Sequence, residues 1–266
     1  MLKRFLTSSD ADGFCLPCER LDDLQLDGLK IFQDPLSYCF TSDSVLLANF
    51  AKAKRTDSVV DLCSGSGIVG ILVAHKTKCK KVVCVEIQEK LALLSQKTIN
   101  YINKTSQISV LNDTVQSVPN YIENGSVNVV VCNPPYKRID ASMPNKNNEI
   151  AIARHELFVN LKEIICVSEK LLKFGGKFYV CNDASRLAEL VNLLKEKKLE
   201  PKRMFFTYPS LTKNASIVFV EAIKGGKEGV VIMPPIVSND SSGEYLPTIQ
   251  KLFKGEEIWY ILWQLQ

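Results

Sequence analysis

Short apolar runs alternate with longer stretches of helical periodicity from residue 58 onward. This alternation is typical of strand–helix–strand units, which stack into a parallel sheet. We predict strands over residues 59–62, 81–86, 108–111, 127–132, 177–181, 200–206 and 216–222. The sequence therefore predicts an α/β fold with a seven-stranded, mostly parallel sheet and helices on both faces, in which the last two strands suit antiparallel pairing.

One helix is predicted between the fourth and fifth strands. The apolar residues that share one face at a spacing of 3.6 residues are Leu161, Ile164, Ile165, Leu171 and Leu172. Gly175-Gly176 follows, and glycine commonly ends a helix. We expect the helix to continue through Leu172 and to end at these glycines.

The pattern divides the chain into three parts. We predict that residues 1–52 form an N-terminal extension, a hairpin and a helix that pack on the core. Thr41-Ser42-Asp43 supplies capping side chains for that helix. Residues 53–225 form the predicted core. Residues 226–266 form a tail to which we assign no structure, because turn residues dominate its first half. The role of its apolar, tryptophan-containing end, residues 256–266, is left open.

Composition narrows the class of protein. Hydrophobic residues make up 46% and charged residues 23%, which are ordinary globular values. No apolar run approaches the roughly 20 residues that span a bilayer, and the N-terminus lacks the apolar region of a secretory signal. We therefore expect a cytoplasmic protein without a membrane partner. The net charge of +4 is compatible with RNA but does not require it.

The cysteines argue against a disulfide framework. There are nine of them, an odd number, scattered along the chain, which suits reduced thiols. Cys15 and Cys18 form one C-x-x-C pair, but a zinc site needs two more ligands. The chain has only two histidines, His75 and His155, so we predict no metal. The role of the Cys15–Cys18 pair is left open.

A glycine-rich segment, Asp61 to Gly70, follows the first core strand and opens a helix. Its glycines let the backbone turn sharply and lie against a ligand. Gly65 to Gly70 formally matches the dinucleotide-binding pattern, which leaves an NAD oxidoreductase as an alternative. Asp61, however, would face a cationic group better than a pyrophosphate, and an amino-acid-like ammonium fits there.

Acidic residues end the next two strands. Glu86 lies 21 residues after Gly65, where a carboxylate can accept both hydroxyls of a ribose. Asp113 closes the third strand, where it could accept a hydrogen bond from an adenine amino group. Together these features describe a pocket for S-adenosylmethionine. The cofactor-binding residues that we predict are Thr41, Asp43, Asp61, Cys63, Gly65, Ser66, Gly67, Glu86, Ile87, Asp113 and Asn133.

The tetrapeptide Asn133-Pro134-Pro135-Tyr136 follows the fourth strand. Two consecutive prolines fix the backbone and remove two N–H donors, so that the carbonyls are held as acceptors. These carbonyls lie beside Asn133, whose side-chain oxygen can accept a hydrogen bond, and Tyr136, whose ring can stack on a planar group. This tetrapeptide, the Asn133 corner, can bind a planar group that carries an NH2. We predict that Asn133, Pro134, Pro135 and Tyr136 are the catalytic residues.

With these residues in place, the chain resembles the class I, Rossmann-like, S-adenosylmethionine-dependent methyltransferases that methylate exocyclic amino groups. Three further segments resemble the bacterial tRNA1(Val) adenine-N6-methyltransferases: residues 40–47, 153–156 and 220–227. The resemblance implies methylation of the adenine at position 37, next to the anticodon. The partner it implies is tRNA, through its anticodon loop, and we favour a monomer.

Basic residues supply candidate phosphate contacts. The RNA-binding residues that we predict are Lys137, Arg138, Lys146, Arg154, His155, Lys202, Arg203 and Lys213. Arg154-His155-Glu156 is expected to open the helix after the tetrapeptide. Relatives that methylate protein glutamine (a release factor) or guanine N2 of rRNA share the Asn-Pro-Pro motif and remain alternatives. So does a non-catalytic RNA- or nucleotide-binding module.

Overall fold

The computed structural model describes residues 4–136, 158–240, 244, 246, 247, 249 and 251. All seven strands expected from the sequence are present. They are β4 (Ser58–Leu62), β5 (Lys81–Val85), β6 (Ile108–Asn112), β7 (Val127–Cys132), β8 (Leu172–Asp183), β9 (Leu199–Tyr208) and β10 (Ile217–Lys224). Five short strands accompany them: β1 (Arg4–Phe5), β2 (Arg20–Asp23), β3 (Lys30–Gln33), β11 (Val231–Ile232) and β12 (Ile236–Val237).

The α-helices in the described ranges are α1 (Ser42–Phe50), α2 (Ile68–Thr77), α3 (Glu89–Tyr101), α4 (Leu161–Leu171) and α5 (Leu187–Glu196). Short 3-10 helices cover Ser8–Ala11, Val115–Asn120 and Ala184–Arg186. None of the helices within the described ranges is long and apolar enough to cross a membrane.

The central sheet confirms the predicted fold class. Its order is β1-β6-β5-β4-β7-β8-β10-β9-β11, and β12 also pairs with β9. Strands β6, β5, β4, β7 and β8 run parallel, whereas β10 is antiparallel to both β8 and β9, as the last two strands suggested. The expected count of seven was too low, because β1, β11 and β12 extend the edges. Each has two residues, too few to show a period of two in the sequence.

Helices cover both faces of this sheet. Neighbouring strand residues such as Val59 and Val60 point to opposite faces and join different apolar clusters. Helices α1, α2 and α3 pack on the face of Val59, and α4 and α5 pack on the face of Val60. The hairpin of β2 and β3 contacts the first group, where the amide of Phe32 donates to Thr98 Oγ1 at 3.1 Å. The division into residues 1–52, 53–225 and 226–266 stays a prediction.

The predicted end of α4 was wrong. The helix begins at an Asn160–Glu163 capping box and ends at Leu171. Leu172 already lies in β8, where it pairs with Val127. Gly175 has φ +74° and lies where the β7–β8 register shifts, so the glycines interrupt the start of a strand. Leu172 is apolar like the buried face of α4, but it is buried as part of the sheet and not as part of the helix.

Candidate active site

A cleft of about 630 Å³, open to solvent, lies at the carboxyl ends of β4, β5, β6 and β7. This is the edge at which open parallel sheets bind ligands. Its lining residues are Tyr38, Cys63, Gly65, Val85, Glu86, Ile87, Gln88, Leu91, Asp113, Thr114, Val115, Gln116, Asn133, Pro135, Phe158 and Val159. The strand-end residues Glu86, Asp113 and Asn133 therefore meet in one cleft.

The glycine-rich segment forms a tight turn between β4 and α2. The amide of Ser64 donates to the Val85 carbonyl at 2.9 Å, which joins the turn to β5. Gly67 has φ +85°, and a Cβ there would lie 2.3 Å from Ser95 Oγ, so only glycine fits. Gly65 also has a positive φ, +57°, and it exposes its backbone in the cleft wall. A ligand can therefore approach the main chain closely at Gly65.

Glu86 is held by backbone donors. It is 5% exposed, and its carboxylate accepts from the amides of Gly65 at 2.8 Å and Gln88 at 2.9 Å. Burial raises the pKa of Glu86, although these hydrogen bonds act in the opposite direction. The Ile87 amide is a third backbone donor to this carboxylate. A carboxylate has about four acceptor sites, so Glu86 can still accept from a ligand.

Asp61 occupies a different position from the one expected. Its side chain is fully buried, does not line the cleft, and accepts from the amide of Gly70 at 2.8 Å. The other oxygen, Oδ1, has no hydrogen-bond partner in the described part of the chain. Burial, the largest effect, raises the pKa of Asp61 to about 8, so the group favours its neutral form. Asp61 holds the first turn of α2 beneath the glycine loop.

Asp113 and its neighbour Asn112 form hydrogen bonds at the carboxyl end of β6. Asp113 is 2% exposed and accepts from the Thr114 amide at 2.7 Å and from the Tyr121 hydroxyl at 2.9 Å. The Asn112 side chain donates to the carbonyls of Glu86 and Ile87. Asn112 thus ties the end of β6 to the segment that carries Glu86.

The Asn133 side chain lies in a hydrogen-bonded cluster. Its Nδ2 donates to Ser44 Oγ at 2.9 Å, and its Oδ1 accepts from the Tyr136 hydroxyl. The thiol of Cys181, on β8, also lies 3.1 Å from Oδ1. Arg186 Nη1 donates to the Tyr136 carbonyl at 3.0 Å and holds the backbone after the two prolines. The amide is therefore fixed on both of its polar ends.

Of the predicted site residues, the structure brings seven into the cleft wall. They are Cys63, Gly65, Glu86, Ile87, Asp113, Asn133 and Pro135. Those that do not line it are Thr41, Asp43, Asp61, Ser66, Gly67, Pro134 and Tyr136. Ser66 Oγ accepts from the side chain of Gln33 instead, and burial raises the pKa of Asp43 at the start of α1.

The candidate RNA contacts fall into two groups. Those outside the described residues are Lys137, Arg138, Lys146, Arg154 and His155, and with them lies the predicted helix start at Arg154-His155-Glu156. Lys202 donates to the carbonyls of residues 227, 228 and 229. Arg203 pairs with the buried Glu221 and lies over the Phe50 ring. Lys213 is exposed.

Sequence reasoning missed several lining residues. Gln88, Thr114 and Gln116 lie two to five residues after predicted strand ends, so a wider strand-end rule than the one that selected Glu86 and Asp113 could have found them. Tyr38 and Phe158 come from distant segments, and no local signal marks them. The Gln116 side chain donates to the Phe158 carbonyl at 3.0 Å and joins one of these segments to the cleft.

Within the described ranges, no cluster of three or more histidine, cysteine or acidic side chains is arranged to hold a metal ion. Cys15 and Cys18 are exposed free thiols. The polar groups that line the cleft include its carboxylates, the backbone of the glycine loop and Asn133.

The strand order, the glycine loop after β4 and the cleft at the carboxyl edge define a class I methyltransferase fold. Solved structures with this fold are similar to the chain. A predicted O-methyltransferase from Agrobacterium tumefaciens superposes with a TM-score of 0.62 at 18% identity, covering 79% of this chain and 94% of that one. The tRNA m1G37 methyltransferase of M. jannaschii gives 0.54 at 14% identity, covering 79% and 55%.

The chain belongs to the methyltransferase small domain family, whose model matches residues 41–197. Among similar curated proteins is the tRNA1(Val) (adenine(37)-N6)-methyltransferase of Shewanella sp. (strain W3-18-1), 24% identical over 161 residues. That match covers 60% of this chain and 66% of the relative, just under two thirds of its length. The protein of the same name from Bacteroides fragilis (strain YCH46) is 20% identical over 231 residues, 86% of this chain and 96% of that one.

Proposed function

We propose that the chain is an S-adenosylmethionine-dependent methyltransferase that methylates N6 of adenine in tRNA, at position 37 beside the anticodon of tRNA(Val). One observation carries the proposal: Asn133 and Pro135 line the same cleft as Glu86 and Asp113. The amine corner and the nucleoside-binding carboxylates therefore belong to a single site. The names of the curated relatives support the choice of adenine and of tRNA.

The residues of the cleft fit S-adenosylmethionine. Glu86 has lone pairs left for ribose hydroxyls, and Asp113 can accept from an adenine amino group. Apolar lining residues suit the flat purine, and they are Val85, Ile87, Leu91, Val115 and Val159. Of the other predicted contacts, Cys63 and Gly65 line the wall, whereas Asp61, Ser66 and Gly67 support the loop.

When bound, S-adenosylmethionine supplies an electrophilic methyl group. The adenine N6 lone pair is delocalised into its ring, so the amine is a poor nucleophile. Asn133 Oδ1 and the Pro134 carbonyl would each accept one N–H, which bends the amine and aims its lone pair at the methyl group. Orientation of this kind lowers the barrier to an in-line displacement, in which the bond from N6 to the methyl carbon would form as the bond from that carbon to sulfur breaks, with S-adenosylhomocysteine as the leaving group. The methylated nitrogen then loses a proton to water, and no histidine base is needed.

Recognition of RNA would rest on stacking and on charge. Stacking of the Tyr136 ring on a base contributes about 1–3 kcal/mol. An unpaired loop base costs less to extrude than a paired one, which favours an anticodon loop. We keep as candidate phosphate contacts Lys137, Arg138, Lys146, Arg154, His155, Lys202, Arg203 and Lys213. We infer a cytoplasmic location, since all nine cysteines are free thiols, which suits a reducing compartment. We also propose a monomer.

The test is transfer of labelled methyl groups from S-adenosylmethionine to total tRNA, to rRNA and to protein, followed by nucleoside and amino-acid mapping. We expect label in N6-methyladenosine, and none in an anticodon stem-loop with inosine at position 37, which lacks the amino group. Label in glutamine or guanine would contradict the choice of adenine. Tight RNA binding without label would indicate a binding module, and NAD binding an oxidoreductase.

Salt dependence tests the RNA partner separately. If the protein neutralises several phosphates, its affinity for tRNA falls steeply between 50 and 200 mM salt, by about a thousandfold for six contacts. A flat response would contradict binding of tRNA through several phosphate contacts.

A further inference from the structure

The oxygen on which the proposed function depends, Asn133 Oδ1, is already hydrogen-bonded. It accepts from the Tyr136 hydroxyl and lies 3.1 Å from the Cys181 thiol, and that thiol lies 3.2 Å from the same hydroxyl. On the other side of the amide, Nδ2 donates to Ser44 Oγ at 2.9 Å. Four side chains from α1, β8 and the segment after β7 therefore form one connected cluster.

An amide oxygen has two lone pairs, and here both face a donor. A substrate amine can bind Oδ1 only if one donor leaves. Cys181 cannot leave, because its side chain is fully buried within β8. Tyr136 is partly exposed and follows the end of β7, and its carbonyl is held at 3.0 Å by Arg186. Its ring can therefore turn while its backbone stays in place.

We propose that Cys181 and Ser44 are positioning residues for the Asn133 amide, and that the Tyr136 hydroxyl occupies the place of the substrate amino group until that group displaces it. This inference rests on the proposed function and assigns a role to residues that the function did not yet require. It also gives Tyr136 two successive tasks, first as a hydrogen-bond donor in the free enzyme and then as a stacking ring.

The physical need for positioning comes from the amide itself. The terminal torsion of asparagine has broad, roughly two-fold preferences, so an unsupported amide can present Nδ2 to the substrate. Two N–H donors would then face each other, and the amine would lose its acceptor. Ser44 accepts from Nδ2, and Cys181 donates to the lone pair that Tyr136 does not use. Burial raises the pKa of Cys181, so the thiol keeps its hydrogen.

The first test compares Cys181→Ala with Cys181→Ser. The alanine variant loses the donor, and we expect kcat to fall about tenfold, the upper end for one hydrogen bond. The serine variant keeps a donor, and we expect it to stay within about threefold of the original protein. Ser44→Ala removes the acceptor on the other side, and we expect a fall in kcat of about threefold.

A merely structural thiol would give a different result. Cys79→Ala is the matched control, because Cys79 is 2% exposed and lies outside the Asn133 cluster. We expect the control to keep kcat and all variants to keep cofactor affinity. We expect Cys181→Ala and Cys79→Ala to lower the melting temperature to a similar extent, because each removes a buried sulfur atom. Equal kcat in Cys181→Ala and the original protein would overturn the inference. So would a serine variant as slow as the alanine variant.

The second test uses Tyr136→Phe and a readout without turnover. Phenylalanine keeps the stacking ring but removes the hydroxyl that competes for Oδ1. We expect an adenine-37 stem-loop to bind about twofold to tenfold more tightly, the range that one net hydrogen bond gives. Equal or weaker binding would overturn the proposed displacement. If the original protein methylates no adenine, the proposed function fails and the inference fails with it. If it does methylate adenine and the variants behave like the controls, the inference alone fails.

Discussion

Glu86 and Glu221 are both almost fully buried in the same sheet, yet their hydrogen-bond partners differ between the two halves of that sheet. In the parallel half, Glu86 ends β5 and is held by the amides of Gly65 and Gln88. In the antiparallel half, Glu221 of β10 is bound by Arg203 through Nε at 2.9 Å and through Nη2, with Lys177 Nζ 3.9 Å away. Only Glu221 has a cationic partner within the described ranges.

The difference teaches how to separate a binding carboxylate from a structural one. A buried carboxylate already paired with arginine has its charge balanced by the protein, and its removal leaves the arginine without its partner, which destabilises the fold. A buried carboxylate held by backbone amides keeps its charge unbalanced and lone pairs free, and burial raises its pKa. We therefore propose that the polar edge of the parallel half binds the ligand, whereas the paired carboxylate of the antiparallel half belongs to the packing. Its stacked Phe205 and Phe219 rings agree with that role.

The largest expected effect comes from Asn133, which directly follows the carboxyl end of β7. Asn133→Ala at the carboxyl end should lower kcat about 100- to 1,000-fold, since it removes a positioned polar group, while cofactor affinity changes only a few-fold. Calorimetry and methyl-transfer kinetics measure the two quantities. Asn128→Ala, near the amino end, is the matched control, because it loses only the hydrogen bonds that Asn128 Oδ1 accepts from the amide and the hydroxyl of Ser58. Loss of cofactor binding together with transfer would mean that Asn133 is structural.

Next in size is the effect of Glu86→Gln on the cofactor. The substitution removes a charged acceptor, and we expect affinity for S-adenosylmethionine to fall about 10- to 100-fold, as for loss of a hydrogen bond to a charged group. The free energy of unfolding should change by less than about 1 kcal/mol, because the lost hydrogen bond is offset by the relief of a buried charge. Unchanged affinity by calorimetry would remove Glu86 from the site.

The reciprocal change, Glu221→Gln, should act on stability. It leaves Arg203 without a carboxylate partner, and we expect a loss of about 1.5–3 kcal/mol in the free energy of unfolding by denaturant titration. Cofactor affinity should not change. Glu200→Gln is the control, because its partner Lys195 is exposed and such surface pairs contribute about 0–1 kcal/mol. If Glu221→Gln left the protein stable and weakened cofactor binding, Glu221 would be the binding carboxylate, contrary to the comparison.

Smallest over a single pH unit is the effect of Asp61 on stability. Its pKa in the folded protein is about 8 against 3.8 for an ordinary aspartate, so between these values the folded state holds a proton that the unfolded chain has lost. Stability is therefore lost as the pH rises through this window, by at most about 1.4 kcal/mol per pH unit. Asp61→Asn cannot titrate and should show a flatter slope from pH 5 to 8. Identical slopes in thermal melts would contradict the assignment.

Much of this molecule follows from local sequence. The seven core strands, the glycine loop and the acidic strand ends are all encoded within short segments, because periodicity, glycine and strand-end position act over a few residues. The same rule predicted that Glu86, Asp113 and Asn133 would meet at one edge, and the cleft brings them together. Even the antiparallel pairing of the last two core strands was visible in the order of the elements.

Other features required the assembled fold. The local apolar stripe of α4 continued through Leu172, but pairing with Val127 drew that residue into β8. Asp61 was expected to meet a ligand, yet the packing of α2 buries it against Gly70. The partners of Asn133 at Ser44 and Cys181 lie 89 and 48 residues away in the chain. Sequence alone determined which groups end the strands, because that depends on local order. Tertiary structure decided which groups stay free for a ligand, because hydrogen bonds between distant segments and burial set their remaining lone pairs and charge.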